Sequence, residues 1–157
     1  MQEKIEILRA EIKEDLESIK EIKSEFDDFI DHIDWENPKD NEQVIIGYKL
    51  HNFYNACENI FKNIARFFEN VAENNEWHKK LLKRMKMEIE GVRPAVISHE
   101  LYLILDDFRA FRHVFRHLYD GKLDWQKQKI VVDKFDRAAN MMIEELEEFC
   151  DKLKEMA

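Results

Sequence analysis

Val44 to Val71 reads VIIGYKLHNFYNACENIFKNIARFFENV, and its spacing decides the fold. Ile46, Leu50, Phe53, Cys57, Ile60, Phe61, Ile64, Phe67, Phe68 and Val71 recur mostly at steps of three and four. On an α-helix that spacing gives an apolar face broad enough to be covered from several sides. Such a helix belongs at the centre of a bundle. Gly47 inside it costs about 1 kcal/mol relative to Ala, so it marks a place where another helix comes close.

The flanking sequence supplies the partners. Ile5, Leu8, Ile12, Leu16, Ile19, Phe26, Ile30 and Ile33 give a long amphipathic first helix over residues 2–34 with an acidic outer face. Pro38 and the Asn and Asp residues around it form the loop that follows. Asn74-Asn75 is a turn. A third, shorter helix is expected from about Glu76 to Glu90, broken by Gly91-Val92-Arg93-Pro94. A fourth should run from Pro94, which suits a first turn, to Tyr119, with Gly121 as its C-terminal cap. A fifth follows from Trp125 to Met156. With three Gly and two Pro in 157 residues, the turns that a sheet requires are scarce. The expectation is an all-α, up-and-down bundle of about five helices, folded as one domain over residues 1–157.

The same composition excludes Gly-rich phosphate loops, and no apolar run approaches the roughly 20 residues that span a bilayer. The opening Met1-Gln2-Glu3-Lys4 leads into a charged helix, not a signal peptide. Cys57 and Cys150 sit among apolar neighbours and read as buried, reduced thiols of a cytoplasmic protein.

The net charge of −9 argues against nucleic acid when taken alone, but its distribution is uneven. Residues 1–45 hold 6 Lys+Arg and 15 Asp+Glu, residues 46–77 hold 3 and 4, residues 78–130 hold 12 and 7, and residues 131–157 hold 4 and 8. The ends are acidic and the middle is basic. Lys79, Lys80, Lys83, Arg84 and Lys86 form one basic cluster on the third helix. They read either as a solvated face or as a track for an RNA backbone.

The second basic cluster is Phe108-Arg109-Ala110-Phe111-Arg112-His113-Val114-Phe115-Arg116-His117-Leu118-Tyr119. At about 100° per residue, Ile104, Phe108, Phe111, Val114, Phe115 and Leu118 form an expected buried stripe. Arg109, Arg112, His113, Arg116, His117 and Tyr119 share a polar arc. Three guanidinium groups on one arc repel one another and call for an anion. The arc reads as a solvated face, as a zinc site on His113 and His117 that the arginines oppose, or as a metal-free, cofactor-free phosphodiester site. Histidine moves protons near neutrality, and arginine forks onto phosphate oxygens and stabilises transition-state charge.

Arg112-x4-His117-x-Tyr119 resembles the Arg-x4–6-His motif of the HEPN superfamily, in the His-x-Tyr form of HepT-type ribonuclease toxins. The layout from about Val44 to Phe149 is similar too, while the acidic helix over 1–34 is not accounted for. The resemblance implies a homodimeric, metal-independent endoribonuclease acting on RNA. The catalytic pair, Arg112 holding the phosphate and His117 handling protons, would meet its symmetry mates in an interfacial cleft, with His113, Arg116 and Arg109 in support. Arg112 and His117 lie about 140° apart on one helix and about 7.5 Å apart in rise, which suits a site closed by a second copy. Tyr102 and Leu105 are then expected to give the dry contacts. The resemblance also implies a minimal nucleotidyltransferase antitoxin as partner, with Tyr119 as the acceptor it adenylylates. Two readings from other classes stand beside this one. The first is a non-catalytic helical subunit of a nucleotidyltransferase that binds a nucleotide or acidic partner. The second is an adaptor that works through the acidic first helix.

Overall fold

The structure is a computed structural model that describes residues 1–69, 77–118 and 123–157. Its elements are α1 (Gln2–Ile30), α2 (Asp40–Phe68), α3 (Trp77–Met85), α4 (His99–Arg116), α5 (Trp125–Asp133) and α6 (Phe135–Met156). The chain is an all-α bundle.

The helices follow the apolar spacing. α2 lies at the centre and packs against α1, α3, α4 and α5, while α6 closes against α1, α4 and α5. Phe53 of α2 meets Phe108 of α4 and Phe135 of α6 edge-on at 5.3 and 5.0 Å, and Phe135 reaches Phe26 of α1 at 4.2 Å. These rings join four helices in one cluster of buried side chains. Cys57 and Cys150 lie inside it as free thiols, and burial pushes the Cys57 thiol well above its usual range. Among the described residues no helix is long and apolar enough to cross a membrane.

Several boundaries differ from the spacing-based expectation, each for a local reason. α2 begins at Asp40, before the apolar run, because the Glu42 carboxylate accepts from the Lys39 backbone N–H at 2.8 Å. α4 begins at His99 and not at Pro94, because Ser98 is its N-cap and accepts from the Leu101 N–H at 3.1 Å. Residues 86–97 between α3 and α4 form an ordered turn built on a buried Arg93. Its guanidinium donates to the carbonyls of Met87, Pro94 and Arg84 and to Glu69 Oε1. Gly91, with φ of 75°, occupies the left-handed conformation this turn needs. The expected fifth helix is interrupted at Lys134, which caps α5 and leaves α6 to start at Phe135.

Gly47 does mark a close approach. A Cβ there would lie 2.7 Å from Cε2 of Phe115 and 3.3 Å from Nε2 of Gln128. Absence of that carbon lets the end of α4 settle against α2.

Candidate anion-binding and catalytic site

The buried stripe of α4 is Leu101, Leu105, Phe108 and Arg112, spaced four, three and four. Arg112 therefore continues an apolar row, although the sequence reading put it on the polar arc. Val114, expected in the stripe, is 56% exposed, and Ile104, Phe111, Phe115 and Leu118 are only partly covered. The helix is rotated relative to the expectation. The reason is a carboxylate on α2.

That carboxylate belongs to Glu58, 3% exposed, on the face that also carries Tyr54, Cys57 and Phe61. Arg112 forks onto it, Nη1 to Oε1 at 3.2 Å and Nη2 to Oε2 at 3.0 Å. Arg112 Nη1 also donates to Asn55 Oδ1 at 2.7 Å, and its guanidinium lies 4.7 Å above the Tyr54 ring. Burial, reinforced by Glu58, raises the Tyr54 phenol above its ordinary value, so the ring stays neutral under the cation. A bidentate, stacked arginine of this kind is buried without leaving charge uncompensated.

Glu58 serves a third element. His78, on the first turn of α3, bonds through Nδ1 to Glu58 Oε1 at 2.9 Å, and Lys62 Nζ stands 3.7 Å from the same oxygen. Asn55 extends the network outward, donating through Nδ2 to His51 Nε2 at 2.9 Å. Burial lowers the His51 pKa from 6.5, and the charges of Arg112 and Arg116 lower it further. The neutral ring thus favours folding fully above pH 6.5. That contribution is lost as pH falls below 6.5 towards the depressed folded value, because the unfolded state binds the proton first. Thermal melts between pH 7 and 5 should show the native chain losing more stability than His51→Gln; parallel curves would count against this.

The two basic clusters meet. A cavity of about 520 Å³ lies between α3 and α4, lined by His78, Lys79, Lys80 and Lys83 from one side and Arg109, Arg112, His113 and Arg116 from the other. Among the described residues every lining side chain is basic, in a chain whose net charge is −9. Two of the three arginines of the arc find their anion within the protein, Arg112 at Glu58 and Arg109 at Asp106, 2.8 Å away. Among the described residues Lys79, Lys83 and Arg116 have no carboxylate partner.

Other expected site residues lie elsewhere. Arg84 turns to Glu69 at 3.3 Å, and Lys86 lies over the Tyr102 ring at 4.3 Å, so neither lines the cavity. His117 caps the C-terminus of α4, outside the lining, with its ring centroid 4.5 Å from that of His113. Its Nδ1 bonds to the His113 carbonyl at 2.8 Å. A carbonyl only accepts, so Nδ1 donates and Nε2 is the nitrogen left for proton transfer. Arg112 and His117 are thus not brought together in one copy. Among the described residues no group of three His, Cys, Asp or Glu is placed to hold a metal ion. Leu105, expected at an interface, is wholly buried in the core, and Trp77 is buried beneath Lys62 at 4.8 Å. Tyr119 and Gly121 lie outside the described residues.

Sequence reasoning passed over Glu58, Asn55, His51 and His78. Glu58 carried a signal: an acid inside a wide apolar face needs a buried cation to meet it.

No curated protein and no solved structure matches the chain. The family described as HepT-like protein matches residues 45–153, which run from α2 to the last turns of α6 and leave α1 outside. With well over half of its 157 residues matched, and with the Arg112-x4-His117 segment on a core helix beside a basic cavity, the chain belongs to the HepT-like family.

Proposed function

We propose that this chain is a metal-independent endoribonuclease, the toxin of a toxin–antitoxin pair, and that it works as a homodimer in the cytoplasm. The observation that carries this reading is the cavity: among the described residues its lining is Lys, Arg and His, with no carboxylate. A magnesium nuclease would offer clustered carboxylates. This site offers cations for a phosphate and imidazoles for proton transfer. Arg116, Lys79 and Lys83 take the phosphate, supported by Arg112, Arg109 and His113, and His117 transfers a proton.

Separation supports the dimer in this reading. Arg112 lines the cavity of its own copy and His117 does not, so a partner's α4 end is the economical way to complete the site. Exposed Val114, Tyr48 and Ile130 offer apolar area for such an interface. In this reading control comes from a minimal nucleotidyltransferase that adds AMP to Tyr119, three residues beyond Arg116. The adduct's phosphate competes for the same cations.

RNA should be cleaved in excess chelator, leaving a 2′,3′-cyclic phosphate. His117→Ala should abolish cleavage while RNA binding persists, and the protein should sediment as a dimer at tens of micromolar. Cleavage that requires added divalent metal, or that survives the substitution, would overturn the mechanism. One observation favours a second reading, a non-catalytic nucleotide- or partner-binding subunit: the fork of Arg112 is already filled by Glu58. That reading gains if His117→Gln and the native chain bind alike and neither cleaves. Intact mass after co-expression with the antitoxin, against a Tyr119→Phe control, decides between adenylylation and silencing by complex formation.

A further inference from the structure

Cleavage of RNA by its own 2′-hydroxyl needs two proton-transfer groups. One removes the 2′-O–H proton as that oxygen bonds to phosphorus. The other protonates the 5′-oxygen as its bond to phosphorus breaks. The products are a 2′,3′-cyclic phosphate and a 5′-hydroxyl, with no change of oxidation state. The Arg-x4-His segment provides one such group in His117.

We propose that His78, held by Glu58, is the other: the general base that takes the 2′-hydroxyl proton, with His117 as the acid. This assignment rests on the ribonuclease reading of the same cavity. Glu58 Oε1 is an acceptor 2.9 Å from His78 Nδ1, so Nδ1–H donates and Nε2 of the neutral ring is left with its lone pair. The carboxylate is itself fixed from its other side by the fork of Arg112 at 3.0 and 3.2 Å. It can set the imidazole's tautomer and tilt as a carboxylate does in a hydrolase triad. The ring is 43% exposed, while Glu58 behind it is 4% exposed. His78 thus has one nitrogen anchored in the interior and the rest of the ring on the α3 wall of the cavity, facing a space shared with Arg112, His113 and Arg116. His113 is the weaker candidate, since its ring rests on His117 and among the described residues no carboxylate orients it.

The test uses the full chain and two substrates. Native protein first maps a cleavage site in an oligoribonucleotide. The second substrate then carries sulfur in place of the 5′-bridging oxygen at that bond. Sulfur leaves as a thiolate without protonation, so the modified bond needs a base but no acid. His78→Asn, whose amide nitrogen stands where Nδ1 does and can still donate to Glu58, should slow cleavage of ordinary RNA by about 10²–10⁴-fold, with RNA affinity and melting temperature little changed. His78→Gln serves as a second variant with the same expectation. On the sulfur-bridged substrate His117→Ala should recover nearly native rates and both His78 variants should stay slow, a split that a structural role for His78 would not produce. Recovery of the His78 variants would make His78 the acid and overturn the assignment. Native rates on RNA for these variants, beside an inactive His117→Ala, would remove His78 from the reaction and leave the ribonuclease reading standing. A native chain that never cleaves RNA would remove both.

Discussion

Glu58→Ala should destabilise the protein by about 3–5 kcal/mol, the loss typical of breaking a buried ion pair from one side. The substitution strands Arg112, which is 5% exposed, with a guanidinium that keeps one neutral acceptor in Asn55. It also releases His78 from the structure's interior side. Arg112→Met alone should cost less than a stranded arginine, because Glu58 retains His78 and the nearby Lys62. The double substitution should recover part of the stability lost in Glu58→Ala, since it leaves no buried guanidinium without a carboxylate, although Ala leaves a void where Glu58 stood. Urea unfolding of the four chains gives the coupling energy directly. Additive losses, or a single-mutant cost near that of a surface pair, would mean that the α2–α3–α4 junction is held by packing alone.

Removing the three cavity cations that have no carboxylate partner among the described residues should have the second largest effect. Lys79→Ala, Lys83→Ala and Arg116→Ala together should lower affinity for single-stranded RNA about a hundredfold at 0.1 M salt. Each phosphate contact contributes about 0.7 to the slope of log affinity against log salt, so that slope should flatten by about two. Stability should hardly change, because no ion pair among the described residues is lost. Arg84→Ala with Lys86→Ala is the matching control. These residues belong to the same run of sequence but point to Glu69 and Tyr102, and their loss should leave the slope nearly intact. Equal effects from the two sets would indicate a diffuse basic surface and no defined binding cavity.

The helices were legible in the sequence because their signals are long and periodic. The apolar rows of α1 and α2 needed nothing beyond counting, and Gly47 pointed correctly to a close contact. The turn over 86–97 was not legible. Its organiser, Arg93, is a charged residue buried by distant partners, and Pro94 suggested a helix start that Ser98 makes instead. Of the candidate site, the sequence showed basic residue types in two clusters, and members of both line one cavity. The orientation of Arg112 was not legible from α4 alone. Nothing in Phe108–Tyr119 says that one of three arginines turns inward; that information sits in Glu58, fifty-four positions earlier. His78 lacked a visible role for the same reason, since its partner is on another helix.

The position of α1 bears on how a polyanion first meets this molecule. α1 packs on α2 and α6, whereas the cavity opens between α3 and α4. The segment that carries −9 over residues 1–45 is therefore built into a different part of the bundle from the binding groups. A body charged in this way has a large electric dipole as well as a net negative monopole. At long range the monopole repels an approaching phosphate chain. Within a Debye length of about 8 Å at physiological salt, local sign governs, and the dipole turns the basic mouth towards the chain. If RNA is the ligand, as proposed, approach on the acidic side is disfavoured, and the encounter is selective by orientation before any base or phosphate is touched.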